Sequence, residues 1–131
     1  MNITKTNLNF IIDEIYNNNV QAGWYSDPKT GERITRNVPE MMMLMVSEIA
    51  EGMEAFRKNL QDDKLPHRSG VIAEIGADVL IRWADLMGYL KYLGNEDAAD
   101  VDSVIYEKRQ YNATRKDHKL SERVKEGGKA F

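Results

Sequence analysis

Hydrophobic positions recur along the chain with a period close to that of an α-helix. Leu8, Ile11, Ile12, Ile15 and Tyr16 fall on one side of a first helix. The run dissolves at Asn17-Asn18-Asn19, a poor helix interior, which predicts the end of the helix there. Pro39 suits the first turn of a second helix, because the N–H it lacks would be unpaired at that position, and this helix is expected to reach about Lys58. On it Met42, Met45, Val46, Ile49, Met53 and Phe56 form one apolar arc, which reads as core filled by adaptable side chains. A third helix is predicted from about Ser69, at the N-cap, to Leu93, with Gly94 placed to stop it. Its core face is Ile72, Ile75, Val79, Leu80, Trp83, Leu86, Met87 and Leu90. A fourth starts near Asn95 to Asp97, with acids in its first turn as the helix dipole favours, and continues to about Lys119.

Between these stretches lie segments with turn chemistry. Asp27-Pro28 and Thr30-Gly31, following Trp24 and Tyr25, predict an ordered loop, and Asn59 to Arg68 predicts a second. No strand-like alternation of useful length and no internal repeat is present. The pattern therefore predicts an all-α fold, a bundle of about four main helices in a single domain spanning residues 1–131.

Composition changes this picture only at a few points. The chain has no cysteine, which excludes disulfide staples and thiolate metal sites. A net charge of -3 gives no global attraction to nucleic acid or anionic membranes, so any phosphate recognition has to come from a local basic cluster. The amino terminus lacks the apolar run of a signal peptide, and Met41 to Ile49 is too short to span a bilayer. A cytoplasmic protein without nucleic-acid or membrane partners is the expectation.

The candidate chemistry lies on the polar faces. Glu48 and Glu51, three apart on the second helix, point about 60° from one another, so both reach the same neighbouring space. They sit among Met41, Leu44, Gly52 and Ala55, and acids in an apolar surround are costly unless a cation or a donor satisfies them. On the third helix Glu74, Asp78, Arg82 and Asp85 form a polar stripe. Carboxylates converging from two helices make a hard-oxygen site suited to Mg²⁺ or Mn²⁺, whereas such pairs on solvated helices are commonplace. Di-iron bundles are set aside, because they require two Glu-x-x-His motifs and the two histidines, His67 and His118, stand in no such context. On the fourth helix Lys108, Asn112, Arg115 and Lys119 fall within about 60° of one another and form a stripe that can hold a polyphosphate or be a solvated face.

Taken in order, Val46 to Lys58, Asp63-Lys64-Leu65-Pro66-His67-Arg68, Ala77-Asp78-Val79-Leu80-Ile81-Arg82 and Lys108 to Arg115 resemble the MazG-like all-α nucleoside triphosphate pyrophosphohydrolases, from about Trp24 to Phe131. The family's Glu-x-x-Glu motif falls on Glu48 and Glu51. Its Glu-x-x-Asp motif matches at Asp78, but the position three before it is Ile75, and Glu74 stands four before instead. Lys-x-x-x-Asn-x-x-Arg falls on Lys108, Asn112 and Arg115. The resemblance implies Mg²⁺, with Mn²⁺ able to substitute, held by Glu48, Glu51, Glu74 and Asp78; the departure at Ile75 would weaken one metal ligand or make the second ion depend on Asp85. It implies Glu48 or Glu51 as catalytic base, and Lys108, Asn112 and Arg115 on the phosphates of a nucleoside or deoxynucleoside triphosphate. It also implies a homodimer or homotetramer with active sites near subunit contacts. Trp24 and Tyr25 are candidates for stacking on the base or for packing across a subunit interface. The reading from another class is a non-catalytic nucleotide-binding or regulatory bundle in which the same charged stripes form structural salt bridges.

Overall fold

The computed structural model describes residues 2–131, and among these no β-strand is present, only the isolated bridges Ser26–Arg33 and Gln61–Ser69. Helices α1 (Asn9–Gln21), α2 (Val38–Lys58), α3 (Gly70–Ile72), α4 (Val79–Tyr92), α5 (Val101–Thr114) and α6 (Leu120–Arg123) follow in order. A π-helical segment, Ala73–Asp78, joins α3 to α4, so that Gly70 to Tyr92 runs on as one central rod. Both α1 and α2 pack on this rod, which makes an all-α bundle of four main helices. No helix among the described residues is long and apolar enough to cross a membrane.

The termini explain why the helices fall where they do. Asn37 caps α2 by accepting from the Glu40 N–H at 2.9 Å, with Pro39 in the first turn, and Asn59 ends it in the left-handed region at φ 52°. The cap of α1 comes from across the bundle. Asp102 of α5 accepts from the Leu8 N–H (2.7 Å), the Asn9 N–H (3.0 Å) and the Thr6 hydroxyl (2.6 Å), and the Asn9 side chain accepts from the Asp102 N–H. Helix α1 does not stop at Asn17 but continues through the asparagines to Gln21. Tyr16 and Val20 pack with the Tyr25–Tyr89 cluster, and these tertiary contacts outweigh weak local propensity.

Two clusters form the core. Tyr25, Met41, Leu86 and Tyr89 make one, and Ile12, Ala84 and Val101, with Ile105 and Trp83 against them, make the other. Helix α1 approaches α4 so closely that a β-carbon at Gly88 would collide with Tyr16. Tyr25 is fully buried: its hydroxyl donates to Asp85 (2.9 Å), and its ring stands edge-on to Tyr16 with centroids 5.2 Å apart. Tyr89 meanwhile holds the Arg36 backbone from both sides, accepting from its N–H and donating to its carbonyl. The loop before α2 is thus pinned into the bundle, and Trp24 beside the anchor is left 66% exposed.

Two expectations about faces are corrected. The arc predicted as core on α2 is largely outside: Met42, Val46, Ile49, Met53 and Phe56 retain between 46% and 74% of their surface, and only Met45 packs inward. The inward face is rotated by one residue to Met41, Met45, Glu48, Gly52 and Ala55, where small side chains permit close approach and a carboxylate sits in the middle. On the central rod, Leu86, Met87, Leu90 and Trp83 pack as expected, whereas Ile72 and Ile75 are 65% and 44% exposed. Helix α5 ends at Thr114 rather than near Lys119, and a 3₁₀ turn at Lys116–His118 follows.

Candidate metal centre

Glu48 projects from the inward face of α2, with its side chain only 12% exposed, towards the π-helical segment. In that segment the turn is wider than an α-turn, N–H groups pairing with carbonyls five residues back. Widening a turn of 3.6 residues keeps positions four apart nearly in line, so Glu74 and Asp78 share a face. Ile75 falls to the side of Gly52, where no β-carbon competes for the space. One carboxylate oxygen from each of Glu48, Glu74 and Asp78 lies within 4.8 Å of the others. Glu51 stands at the exposed edge of the group, beside Glu48.

Crowding separates the proton affinities of these acids. Burial, then shared hydrogen bonds with Glu48 and Asp78, push Glu74 up to about 8 from an ordinary 4.5. Burial also acts to raise Glu48, but it is outweighed by the Arg82 guanidinium, whose Nε donates to Glu48 Oε1 at 2.7 Å, and by hydrogen bonds from Glu74 and Glu51. Glu48 is thereby held below the usual carboxylate range. Glu51 is raised, chiefly by its hydrogen bond to Glu48 and the charge there.

The group fits a hard cation. Glu74 Oε2 is buried without a hydrogen-bond partner, which costs on the order of 1–3 kcal/mol unless something binds it. Three convergent carboxylates, with no histidine or cysteine among them, are the donor set of Mg²⁺ or Mn²⁺, either of which would complete its shell with water and phosphate oxygens. Asp85 is not part of the group; it accepts from Tyr25.

A cleft of about 700 Å³ opens beside the acids. Its walls bring Glu48, Glu51, Glu74 and Asp78 together with Lys64 and Arg68 from the α2–α3 loop. These two cations were visible in the sequence only as part of a motif without an assigned role. The loop that carries them is shaped by Asp62, which accepts from the N–H groups of Lys64 (3.0 Å) and Leu65 (2.7 Å). A neighbouring hollow of about 450 Å³ shares Glu48 and Asp78 and adds Trp24, Asn19, Arg36 and Arg82. Trp24 therefore lies beside the acids as an exposed ring, whereas Tyr25 is too deeply buried to stack on a ligand.

The cationic stripe expected on the fourth helix is not continuous, and it does not face the acids within one chain. Lys108 and Asn112 are on α5, Arg115 lies past its end, and Lys119 is in extended backbone before α6. Arg115 forks onto Asp117 at 3.0 and 2.7 Å, and both Lys108 and Arg115 flank the Tyr111 ring. None of Lys108, Asn112 and Arg115 lines either cavity. No family model matches the chain, and no curated protein and no solved structure matches it.

Proposed function

We propose that the chain is a Mg²⁺-dependent nucleoside triphosphate pyrophosphohydrolase of the MazG-like kind, converting an NTP or dNTP to the monophosphate and pyrophosphate. The observation that carries this reading is the meeting of Glu48, Glu74 and Asp78 around an unsatisfied, buried carboxylate oxygen, at the wall of a cleft that also holds Lys64 and Arg68. The motif order across the chain adds to it, and Glu74, four before Asp78, stands in for the glutamate that Ile75 displaces.

Glu48, Glu74 and Asp78 would hold the ion, with Glu51 at its edge. Bound Mg²⁺ would neutralise phosphate charge and acidify a water. Glu51, exposed and raised by Glu48, is suited to take that water's proton as the bond between the α- and β-phosphates breaks. Lys64 and Arg68 would hold the phosphate chain and stabilise the charge gathering on the leaving pyrophosphate. Trp24 offers a face for the base, and Arg36 a cation beside it. Lys108, Asn112 and Arg115 would reach a cleft only in an assembly of two or four copies, as the resemblance implies.

One observation favours a non-catalytic bundle: the 2.7 Å pair between Arg82 and Glu48 is the kind of inter-helix bridge such a module would use. A pyrophosphate-release screen over the common NTPs and dNTPs, with and without Mg²⁺, separates the two. Release that requires Mg²⁺ and vanishes in Glu74→Gln supports the hydrolase. No release from any nucleotide by folded protein leaves the binding module.

A further inference from the structure

Two pairs of cations flank the acid group, one in each cavity. The cleft and the neighbouring hollow are both lined by Glu48, Asp78 and Ile81, which therefore form a wall between them. The cleft adds Lys64 and Arg68, the hollow adds Arg36 and Arg82, and neither pair lines the other cavity. Arg82 holds Glu48 through Nε alone, at 2.7 Å, and its two terminal nitrogens donate to nothing among the described residues. Arg36 is half-buried, with its backbone fixed by the Tyr89 hydroxyl and its guanidinium carbon 5.4 Å from the centre of the Tyr25 ring. Its guanidinium also makes no hydrogen bond and no ion pair among the described residues. One small hollow thus contains two planar forks whose donors are unused, an arrangement suited to a phosphate.

We propose that the triphosphate crosses the shared wall with a fixed polarity: the α-phosphate lies in the hollow on Arg36 and Arg82, and the β- and γ-phosphates lie in the cleft on Lys64 and Arg68. The inference rests on the hydrolase reading and adds to it which way the substrate lies and a substrate-facing role for Arg82. Three features select this direction. Trp24, 66% exposed, is the only aromatic ring lining either cavity, so the base and the phosphate attached to its sugar belong on the hollow side. Arg82 spans the acids and the hollow, so its Nε can keep Glu48 in place while its free fork takes a phosphate oxygen. The third feature is charge. Arg36 and Arg82 share the hollow with three carboxylates, Glu48, Asp78 and Asp85. Asp85 is buried and engaged by the Tyr25 hydroxyl, whereas Glu48 and Asp78 belong to the metal group. A phosphate is therefore repelled from the hollow until a divalent cation neutralises those two acids. With this polarity the bond between the α- and β-phosphates lies at the wall, beside the ion, and the two products end in different cavities: the monophosphate in the hollow and the pyrophosphate in the cleft.

The two products are separate probes of the two sides. Calorimetric titrations at saturating Mg²⁺ would use the common nucleoside and deoxynucleoside monophosphates and, separately, inorganic pyrophosphate. Arg36→Met is the cleaner variant for the hollow, because it keeps the backbone bonds to Tyr89 and removes no partner of the metal acids. It should weaken the tightest-binding monophosphate by ~10-fold or more and pyrophosphate by less than ~2-fold, with Arg36→Lys recovering part of the loss. Arg68→Met should show the reverse split. In chelator, wild type should bind the monophosphate ~10-fold more weakly or worse, because the acids then face the phosphate unneutralised. Variants that shift both products alike overturn the inference. So does a monophosphate held equally well with and without Mg²⁺, and so does the absence of binding of either product to folded protein. Pyrophosphate release from triphosphates without the split sinks the polarity and leaves the hydrolase reading standing. The split without release from any nucleotide does the opposite, and the hollow is then a Mg²⁺-dependent site for a nucleoside monophosphate.

Discussion

Ile75 lies against Gly52 so closely that a β-carbon at position 52 would come within 2.6 Å of Ile75 Cδ1. The contact joins α2 to the π-helical segment one residue from Glu74, whose Cβ would lie 3.4 Å from a β-carbon at position 52. Gly52→Ala gains up to about 1 kcal/mol of helix propensity but must turn aside the Ile75 side chain, whose 44% exposure leaves it room to move, at about 0.5–1.5 kcal/mol. Little net change in thermal stability is expected, together with a weaker Mg²⁺-induced rise in Tm. The double variant Gly52→Ala/Ile75→Ala removes the collision and should recover the Mg²⁺ response. If the single variant is more stable than wild type and binds Mg²⁺ as well, the contact does not position the acids.

The raised proton affinity of Glu74 gives a pH dependence of definite sign. Between 4.5 and about 8 the native chain keeps a proton that the unfolded chain has lost. Its contribution to stability is therefore complete below about 4.5 and is lost as pH rises through about 8. Glu51, also raised, acts in the same direction. In chelator, the Tm of wild type should fall from pH 6 to pH 9 more steeply than that of Glu74→Gln. Mg²⁺ prefers the ionised carboxylates, so it should raise the Tm of wild type most at pH 8–9 and that of Glu74→Gln little at any pH. Parallel pH profiles for the two proteins, with equal responses to Mg²⁺, would falsify the assignment of Glu74 as a metal-facing acid.

Much of the fold was legible in the chain, and the limits of that legibility have physical causes. Pro39, Gly94 and the turn residues at Asp27 to Gly31 mark boundaries because backbone conformation is decided locally there. The face of α2 was misjudged because hydrophobicity marks what avoids water, not what is covered within one chain. The inward line carries Gly52, Ala55 and an acid, while the richer apolar line stays exposed. Among the site residues, Glu48, Glu74 and Asp78 were named from spacing and resemblance, and they do meet. The place of Lys64 and Arg68 was not legible, since a loop brings them to the acids and no periodicity announces a loop's path. Nor could periodicity show that α5 breaks at Thr114 and carries Arg115 away from Lys108 and Asn112.

Glu51 and Glu48 should respond differently to the same substitution. Glu51 is exposed and makes no ion pair among the described residues, so Glu51→Gln is expected to leave stability within about 0.5 kcal/mol of wild type. Turnover should fall by ~100-fold or more if Glu51 accepts the proton from water. Glu48→Gln loses the charge facing Arg82 and should lower both Tm and Mg²⁺ affinity. Steady-state pyrophosphate release and thermal melts on the two variants distinguish these outcomes, and substantial residual turnover in Glu51→Gln removes it from the role of base.

The two sets of cations make separable contributions. Arg68→Met, in the wall of the cleft, should raise KM for the triphosphate by ~10-fold or more, because a charged hydrogen bond to phosphate would be lost. Lys108→Met alters binding only if a second copy presents α5 to the cleft. Its effect on KM should then disappear in a variant that is monomeric but still folded. Titration of a non-hydrolysable triphosphate by calorimetry on both variants decides the matter, and an unchanged affinity in Arg68→Met counts against the cleft as the phosphate site.

Asp102 predicts an acid-sensitive joint at the opposite end of the bundle. It is 5% exposed and receives two backbone N–H groups and a hydroxyl that otherwise have no partner at the start of α1. Burial works to raise its proton affinity, and these three donors outweigh it and hold the carboxyl below its ordinary 3.8. With a depressed native value, its stabilisation is present above about pH 4 and is lost as pH falls through the lower native value. Asp102→Asn keeps the shape but loses charge-assisted bonds, and about 1.5–3 kcal/mol is expected at pH 7. The loss should shrink below pH 4, where wild type loses the same charge. Hydrogen exchange should locate it at the amides of Leu8 and Asn9, which ought to be released first. Equal protection of those amides in wild type and Asp102→Asn would mean that α1 is held by the packing of Ile12 and Tyr16 alone.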